Sequence, residues 1–159
     1  MLEPATETRP WAEQRRLDDA LFRLQIAWLL ERSAFYRDKL SKAGFEAPQE
    51  IGGLDDIAAL PFTEKSEIRA GVTADNPIGT HVCVPRSEIV RIFSTSGTTG
   101  APSYIPLTRQ DLDTWVTTSA RSYATSGVAA GETIVSTYNA GPFVAGAALA
   151  HLLDPRARL

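Results

Sequence analysis

An α/β fold is predicted for this chain, helical over its first half and sheet-forming over its second, from three observations. Apolar residues recur at helical spacing between positions 11 and 30. A β-branched and aromatic run and a short extended run flank a loop rich in glycine and hydroxyl residues between 88 and 107, and a capped amphipathic helix opens at Thr108. The sheet is begun but left incomplete, which divides the chain into a helical segment with its connector over 1–87 and the start of an α/β subdomain over 88–159.

From Trp11 to Leu30, Leu17, Leu21, Leu24 and Trp28 share a helical face, with Phe22, Ile26 and Leu29 beside them, so a helix buried on more than one side is expected. Ser33 can cap a second helix running through Phe35, Tyr36 and Leu40 to Gly44, the residue best suited to a left-handed exit. The two form a helical hairpin. Pro48 and Gly52-Gly53 mark turns, Leu54 to Leu60 a short helical stretch ended by Pro61, and Thr63 a cap for a helix through Ile68. Residues 71–85, with Asn76-Pro77 and Gly79, read as irregular surface chain.

Ile89, Val90, Ile92 and Phe93 predict a largely buried strand, and Tyr104 to Leu107 a second one paired to it as a hairpin, at an edge because of Pro106. Thr108 with Asp111 has the spacing of a capping box, and Leu112, Trp115, Val116, Ser119 and Tyr123 keep one helical face until Gly127. A further buried strand is expected over Glu132 to Tyr138, a turn over Asn139 to Pro142, and a small-residue helix over Phe143 to Leu153.

Sixteen Lys and Arg against nineteen Asp and Glu give a net charge of -3, which supplies no general attraction for nucleic acid or an anionic membrane. Ala140 to Leu153, the most apolar stretch, is too short for a bilayer and is broken by Gly141, Pro142 and Gly146. Met1 to Pro10 carries Glu3 and Glu7 and no apolar run, unlike a secretory signal. The single cysteine, Cys83, has no partner for an internal disulfide and no neighbouring base to make it a nucleophile, so a reducing, cytoplasmic setting is expected, with Cys83 a small buried apolar residue or an idle thiol. His81 and His151 read as structural or solvated, and no metal-ligand spacing appears.

Chemistry concentrates in Ser94-Thr95-Ser96-Gly97-Thr98-Thr99-Gly100-Ala101-Pro102. Hydroxyl donors and two glycines, whose missing Cβ lets backbone amides converge, suit the oxygens of a polyphosphate; a flexible hairpin tip is the other reading of the same composition. A Walker loop is excluded, since only two residues separate the glycines and no lysine follows, and no dinucleotide fingerprint occurs.

Thr95 to Pro102 resembles the Ser/Thr-Ser-Gly-Thr-Thr-Gly-x-Pro phosphate loop of the adenylate-forming superfamily. Ser103 stands where many members have lysine, as is common in the phenylacetate-CoA ligase branch. Ser33-Ala-Phe-Tyr-Arg-Asp-Lys-Leu40, Leu60-Pro-Phe-Thr-Glu-Lys65, Val90-Arg-Ile92 and Tyr138-Asn-Ala-Gly-Pro-Phe143 also resemble segments of that family, in its order. The resemblance implies a mixed adenylate-forming-enzyme sheet of which this chain carries the first part.

It further implies that Thr95, Ser96, Gly97, Thr98, Thr99 and Gly100 bind the phosphates of ATP, accompanied by Mg2+. Tyr138 and Phe143 would flank an aryl group, or, read without the resemblance, sit in a core. The implied reaction is activation of an aryl or arylacetic acid as an acyl-adenylate followed by transfer to coenzyme A, or to a carrier protein or amine. The family's adenine loop, ribose-binding aspartate, hinge and C-terminal lysine have no counterpart in these residues. Catalysis by the chain alone is therefore not expected, no catalytic or metal-binding residue is assigned, and self-association or a missing partner chain is. A non-catalytic remnant or interaction module is the competing reading.

Overall fold

The computed structural model describes residues 2–95, 102–129, 131–133 and 135. It divides into two units, Arg9–Pro85 and a second that joins Met1–Thr8 to the chain from Arg86 onward.

In the first unit, α2 (Trp11–Arg32) and α3 (Ala34–Lys42) form the hairpin that the spacing predicts; α1 (Pro4–Glu7) belongs to the other unit. The break between them is made by Ser33, extended and fully buried, whose hydroxyl accepts the Tyr36 amide at 3.2 Å and reaches the carbonyls of Thr80 and His81 at 3.5 and 3.4 Å. One small side chain thus ends one helix, starts the next and ties both to chain almost fifty residues away. Gly44 has φ +88°, the left-handed exit expected of it. The core gathers Ile26, Leu30, Leu40 and Ile51, with Phe22, Leu29, Phe45 and Leu60 against it.

Of the two faces of α2 expected to be buried, one is. Leu17, Leu21, Leu24 and Trp28 are 43%, 63%, 67% and 42% exposed, while Ile26 and Leu30 are buried. Both stripes have helical spacing; α3 and the turn at Ile51 cover only the second. Short 3-10 helical turns follow at Pro48–Glu50 and Leu54–Ala59, then α4 (Lys65–Ala70). Thr63 does not cap α4: Glu64 is the N-cap, and the Glu67 carboxylate accepts its amide at 2.6 Å, so the first turn is satisfied from inside the helix.

Asp19 fastens the turn at Gly53 to α2. Its carboxylate accepts the Leu54 amide and Arg23 Nε, both at 2.8 Å, and these two partners hold it below the usual carboxylate range. A Cβ at Gly53 would run into Asp19 Oδ1 and come within 2.5 Å of Arg23 Nη2, which is why glycine occupies this close approach.

In the second unit β1 (Ile89–Ser94) and β2 (Tyr104–Thr108) pair antiparallel, with Ser94 opposite Tyr104, Phe93 opposite Ile105 and Ile92 opposite Pro106. Among the described residues this is a two-stranded sheet. α5 (Arg109–Thr125) returns over one face, its Trp115 ring edge-on to buried Phe93 at 5.4 Å. The expected capping box is present: Thr108 Oγ1 accepts the Asp111 amide at 3.2 Å and Asp111 accepts the Thr108 amide at 2.8 Å. Gly127, at φ +95°, follows the helix end.

β1 is not buried on both faces as its apolar run suggests. Val90 and Ile92 remain 47% and 45% exposed, because α5 covers only the Phe93 side. Arg121 of α5 lies 3.8 Å from Glu3 and 3.6 Å from Glu7, whose carboxylate also accepts the Leu2 and Glu3 amides. Of the strand expected over Glu132 to Tyr138, only Glu132, Thr133 and Val135 are described; none of these is extended in a sheet, and Val135 is 83% exposed. Tyr138, Phe143 and the helix expected over 143–153 lie outside the described residues.

Candidate functional site

The hydroxyl-rich loop joins the two strands of the ribbon, so its position follows from strand pairing alone. Beyond the last ladder pair, Ser94 and Tyr104, a further pair forms: the Thr95 amide donates to the Ser103 carbonyl at 3.0 Å, and the Ser103 amide donates to Thr95 Oγ1 at 3.1 Å. These two bonds close the loop at its base. Alternation along a strand sets Thr95 and Ser103 on the face of Phe93, the side that α5 covers. Ser103 is accordingly only 5% exposed.

Thr95 is thus already employed in structure. Its oxygen accepts from Ser103, and only its own O–H proton is left for a ligand. Ser103 is the reverse case, since its amide and carbonyl are bonded while its Oγ, buried, has no hydrogen-bond partner among the described residues. Sequence reading marked Ser103 only as an uncharged substitute for lysine; its part in closing the loop emerges from the register of β1 against β2. Ser96, Gly97, Thr98, Thr99 and Gly100 lie outside the described residues.

The electrostatics at the loop base are neutral. Positions 94–103 contain neither an acidic nor a basic side chain, so anion binding there would rest on hydroxyls and amides. An open groove of about 600 Å³ follows α5 past Arg109, Asp113, Thr117 and Arg121, and among the described residues its lining includes neither Thr95 nor Ser103. Cys83 is half-buried, with its thiol directed to the His81 carbonyl at 3.4 Å; burial pushes its pKa up, which disfavours the reactive thiolate.

No protein-family model matches the chain. Relatives do. It is 35% identical over 149 residues to a phenylacetate-coenzyme A ligase of Thermus thermophilus, a match covering 94% of this chain and 32% of that protein. The enzyme of the same name from Aromatoleum evansii is 35% identical over 146 residues, covering 91% and 31%. Among solved structures, 2-hydroxyisobutyryl-CoA ligase in complex with 2-HIB-AMP and CoA superposes with a TM-score of 0.74 at 34% identity, over 81% of this chain and 27% of that one. The same ligase in its postadenylation state gives 0.73 at 30% identity. The chain spans about a third of the length of the relatives it matches.

Proposed function

Given that this chain belongs to the phenylacetate-CoA ligase family of adenylate-forming enzymes and corresponds to the N-terminal part of their fold, we propose that it supplies the phosphate-gripping part of an ATP-dependent acid-CoA ligase. The observation that carries this reading is the closure of the loop by Thr95 and Ser103 at the tip of a ribbon backed by α5. Such a closure holds the ends of a glycine- and hydroxyl-rich segment at a fixed separation, so its donors need little further ordering when a polyphosphate arrives.

In the reaction, a carboxylate oxygen of the acid attacks the α-phosphorus of ATP, the bond to the β-phosphate breaks, and pyrophosphate leaves. The thiol sulfur of coenzyme A then attacks the acyl carbon, AMP departs with the bonding pair, and the thiol proton passes to solvent. The hydroxyls of Ser96, Thr98 and Thr99, the amides of Gly97 and Gly100 and the remaining proton of Thr95 are the donors toward the β- and γ-phosphates. Donors aimed where negative charge grows each contribute on the order of 3 kcal/mol to a transition state. Mg2+ would enter with the nucleotide; positions 94–103 offer it no carboxylate. Tyr138 and Phe143 are the residues proposed to flank an aryl or arylacetic acid. A non-catalytic remnant or interaction module, and an enzyme with a carrier-protein or amine acceptor, are the competing outcomes.

Calorimetric titration of the chain with pyrophosphate and Mg2+ tests the grip. Binding is expected, and Thr98→Ala with Thr99→Ala should weaken it by about tenfold or more. Equal binding by wild type and double variant, or none by either, rejects the reading. Acid-dependent exchange of pyrophosphate into ATP is expected to be absent for the chain alone; clear exchange would contradict the assignment of the chemistry to elements outside these residues.

A further inference from the structure

Residues 2–8 form an arm that lies against α5. Its one helical turn, α1, is closed from within: Glu7 Oε1 accepts the Glu3 amide at 2.8 Å and the Leu2 amide at 3.0 Å, and Thr8 Oγ1 donates to the Pro4 carbonyl at 2.7 Å. The same carboxylate oxygen lies 3.6 Å from Arg121 Nε of α5, and Glu3 Oε2 lies 3.8 Å from that nitrogen. Hydrogen bonds from the Glu3 and Leu2 amides and the charge of Arg121 hold the Glu7 carboxyl below the usual carboxylate range, so the pair is charged at neutral pH. Charge is also what holds the arm in place. No residue of α1 is buried and Leu2 stays exposed, so apolar cover contributes little. Arg121 Nε makes no hydrogen bond among the described residues, which leaves both contacts purely ionic.

We propose that residues 2–8 are a strap latched onto α5 by the charge of Arg121 against Glu3 and Glu7, and that weakening this latch frees the strap, baring the Arg121 end of the groove along α5, while the fold stays intact. Arg121 belongs to both features, since it lines the groove and holds the arm. It stands nine residues past buried Leu112, about two and a half helical turns, and therefore on the face of α5 turned away from the ribbon. On the ribbon side Trp115 against Phe93 keeps the helix in place whether or not the strap is closed. Ion pairs of this partly exposed kind are weak singly and are screened by salt, so the latched and free states lie close in free energy. The inference does not rest on nucleotide binding.

Cleavage of the whole chain by an endoproteinase that cuts after glutamate tests it, because the bond between Glu7 and Thr8 closes the latched turn and its loss is read from the mass of the product. Arg121→Gln should speed this cut by about threefold or more, Glu3→Gln by less, and Arg121→Lys, which keeps the charge, by least. In about 1 M NaCl, where charges are screened within about 3 Å, wild type should be cut as fast as Arg121→Gln in the same salt. Circular dichroism and melting should match wild type for every variant, since Arg121 faces away from the ribbon. Equal cutting of Arg121→Gln and wild type at low salt, a gap between them that persists at high salt, an Arg121→Lys variant cut as fast as Arg121→Gln, or faster cutting that tracks a fall in melting temperature each overturns the proposal.

Discussion

The hydroxyls of Thr95 and Ser103, at the base of the loop, should respond to removal with opposite signs. Thr95→Val keeps the shape of the side chain and deletes the oxygen that accepts the Ser103 amide at 3.1 Å. With Ser103 only 5% exposed, that amide is left unpaired away from water, a cost of about 1–3 kcal/mol. The strand preference of valine returns a few tenths of a kcal/mol at most, so a net loss of about 1–2 kcal/mol is expected in the ribbon–α5 unit. Ser103→Ala deletes an oxygen that has no partner among the described residues, and so should leave stability unchanged or raise it by up to about 1 kcal/mol. Urea titration of each variant supplies the comparison, and Thr95→Ser, which keeps the acceptor, serves as control. Thr95→Val should also weaken pyrophosphate binding by loosening the loop ends. If Thr95→Val proves as stable as wild type, or Ser103→Ala loses as much as Thr95→Val, the loop is not closed in this way.

Phe93, 2% exposed and edge-on to Trp115, fixes α5 to the ribbon; Phe93→Ala should cost about 3–5 kcal/mol, visible as early melting of α5 by circular dichroism. Gly53→Ala should destabilise the first unit by about 1–3 kcal/mol, because the new methyl enters the Asp19–Arg23 pair, and a parallel Gly44→Ala control suffers only backbone strain, with nothing near its Cβ. Arg23 and the Leu54 amide depress the Asp19 pKa in the fold below its ordinary 3.8, so the stability this group confers is complete above that value and disappears as pH falls through the lower, folded one. Urea midpoints measured across that acidic window should fall less steeply for Asp19→Asn than for wild type.

The features that sequence reading recovered are those decided within a few residues of themselves. Ser33 as a cap, Thr108 with Asp111, the left-handed glycine at 44 and the helix end near Gly127 each depend on a hydrogen bond or dihedral inside one turn of chain. The stripe of α2 that was expected to be buried and is not is of another kind. Leu17, Leu21, Leu24 and Trp28 form as good a helical stripe as Phe22, Ile26, Leu29 and Leu30, and the choice between them is made by Ile51 and Leu40, which approach from elsewhere in the chain. Propensity carries no information about that approach. The reading of β1 failed for a related reason: a run that is apolar on both faces predicts cover on both, and among the described residues α5 covers one.

The candidate site divides along the same line. That residues 94–103 turn back between two strands was legible from the flanking runs, and the neutral hydroxyl composition was legible outright. Which hydroxyls are free to meet a ligand was not, because that depends on register. One step of register sets Thr95 against Ser103 on the covered face, converting one of the apparent phosphate donors into a structural acceptor and burying the hydroxyl of its partner. A slip of β2 by a single residue would turn Ser103 to the other face, exposing its hydroxyl and freeing Thr95 of its bond. The pairing of β1 with β2, held by Phe93 against Trp115, therefore sets how many donors the loop base could offer the proposed phosphate, and a substitution that moves the pairing would change that number.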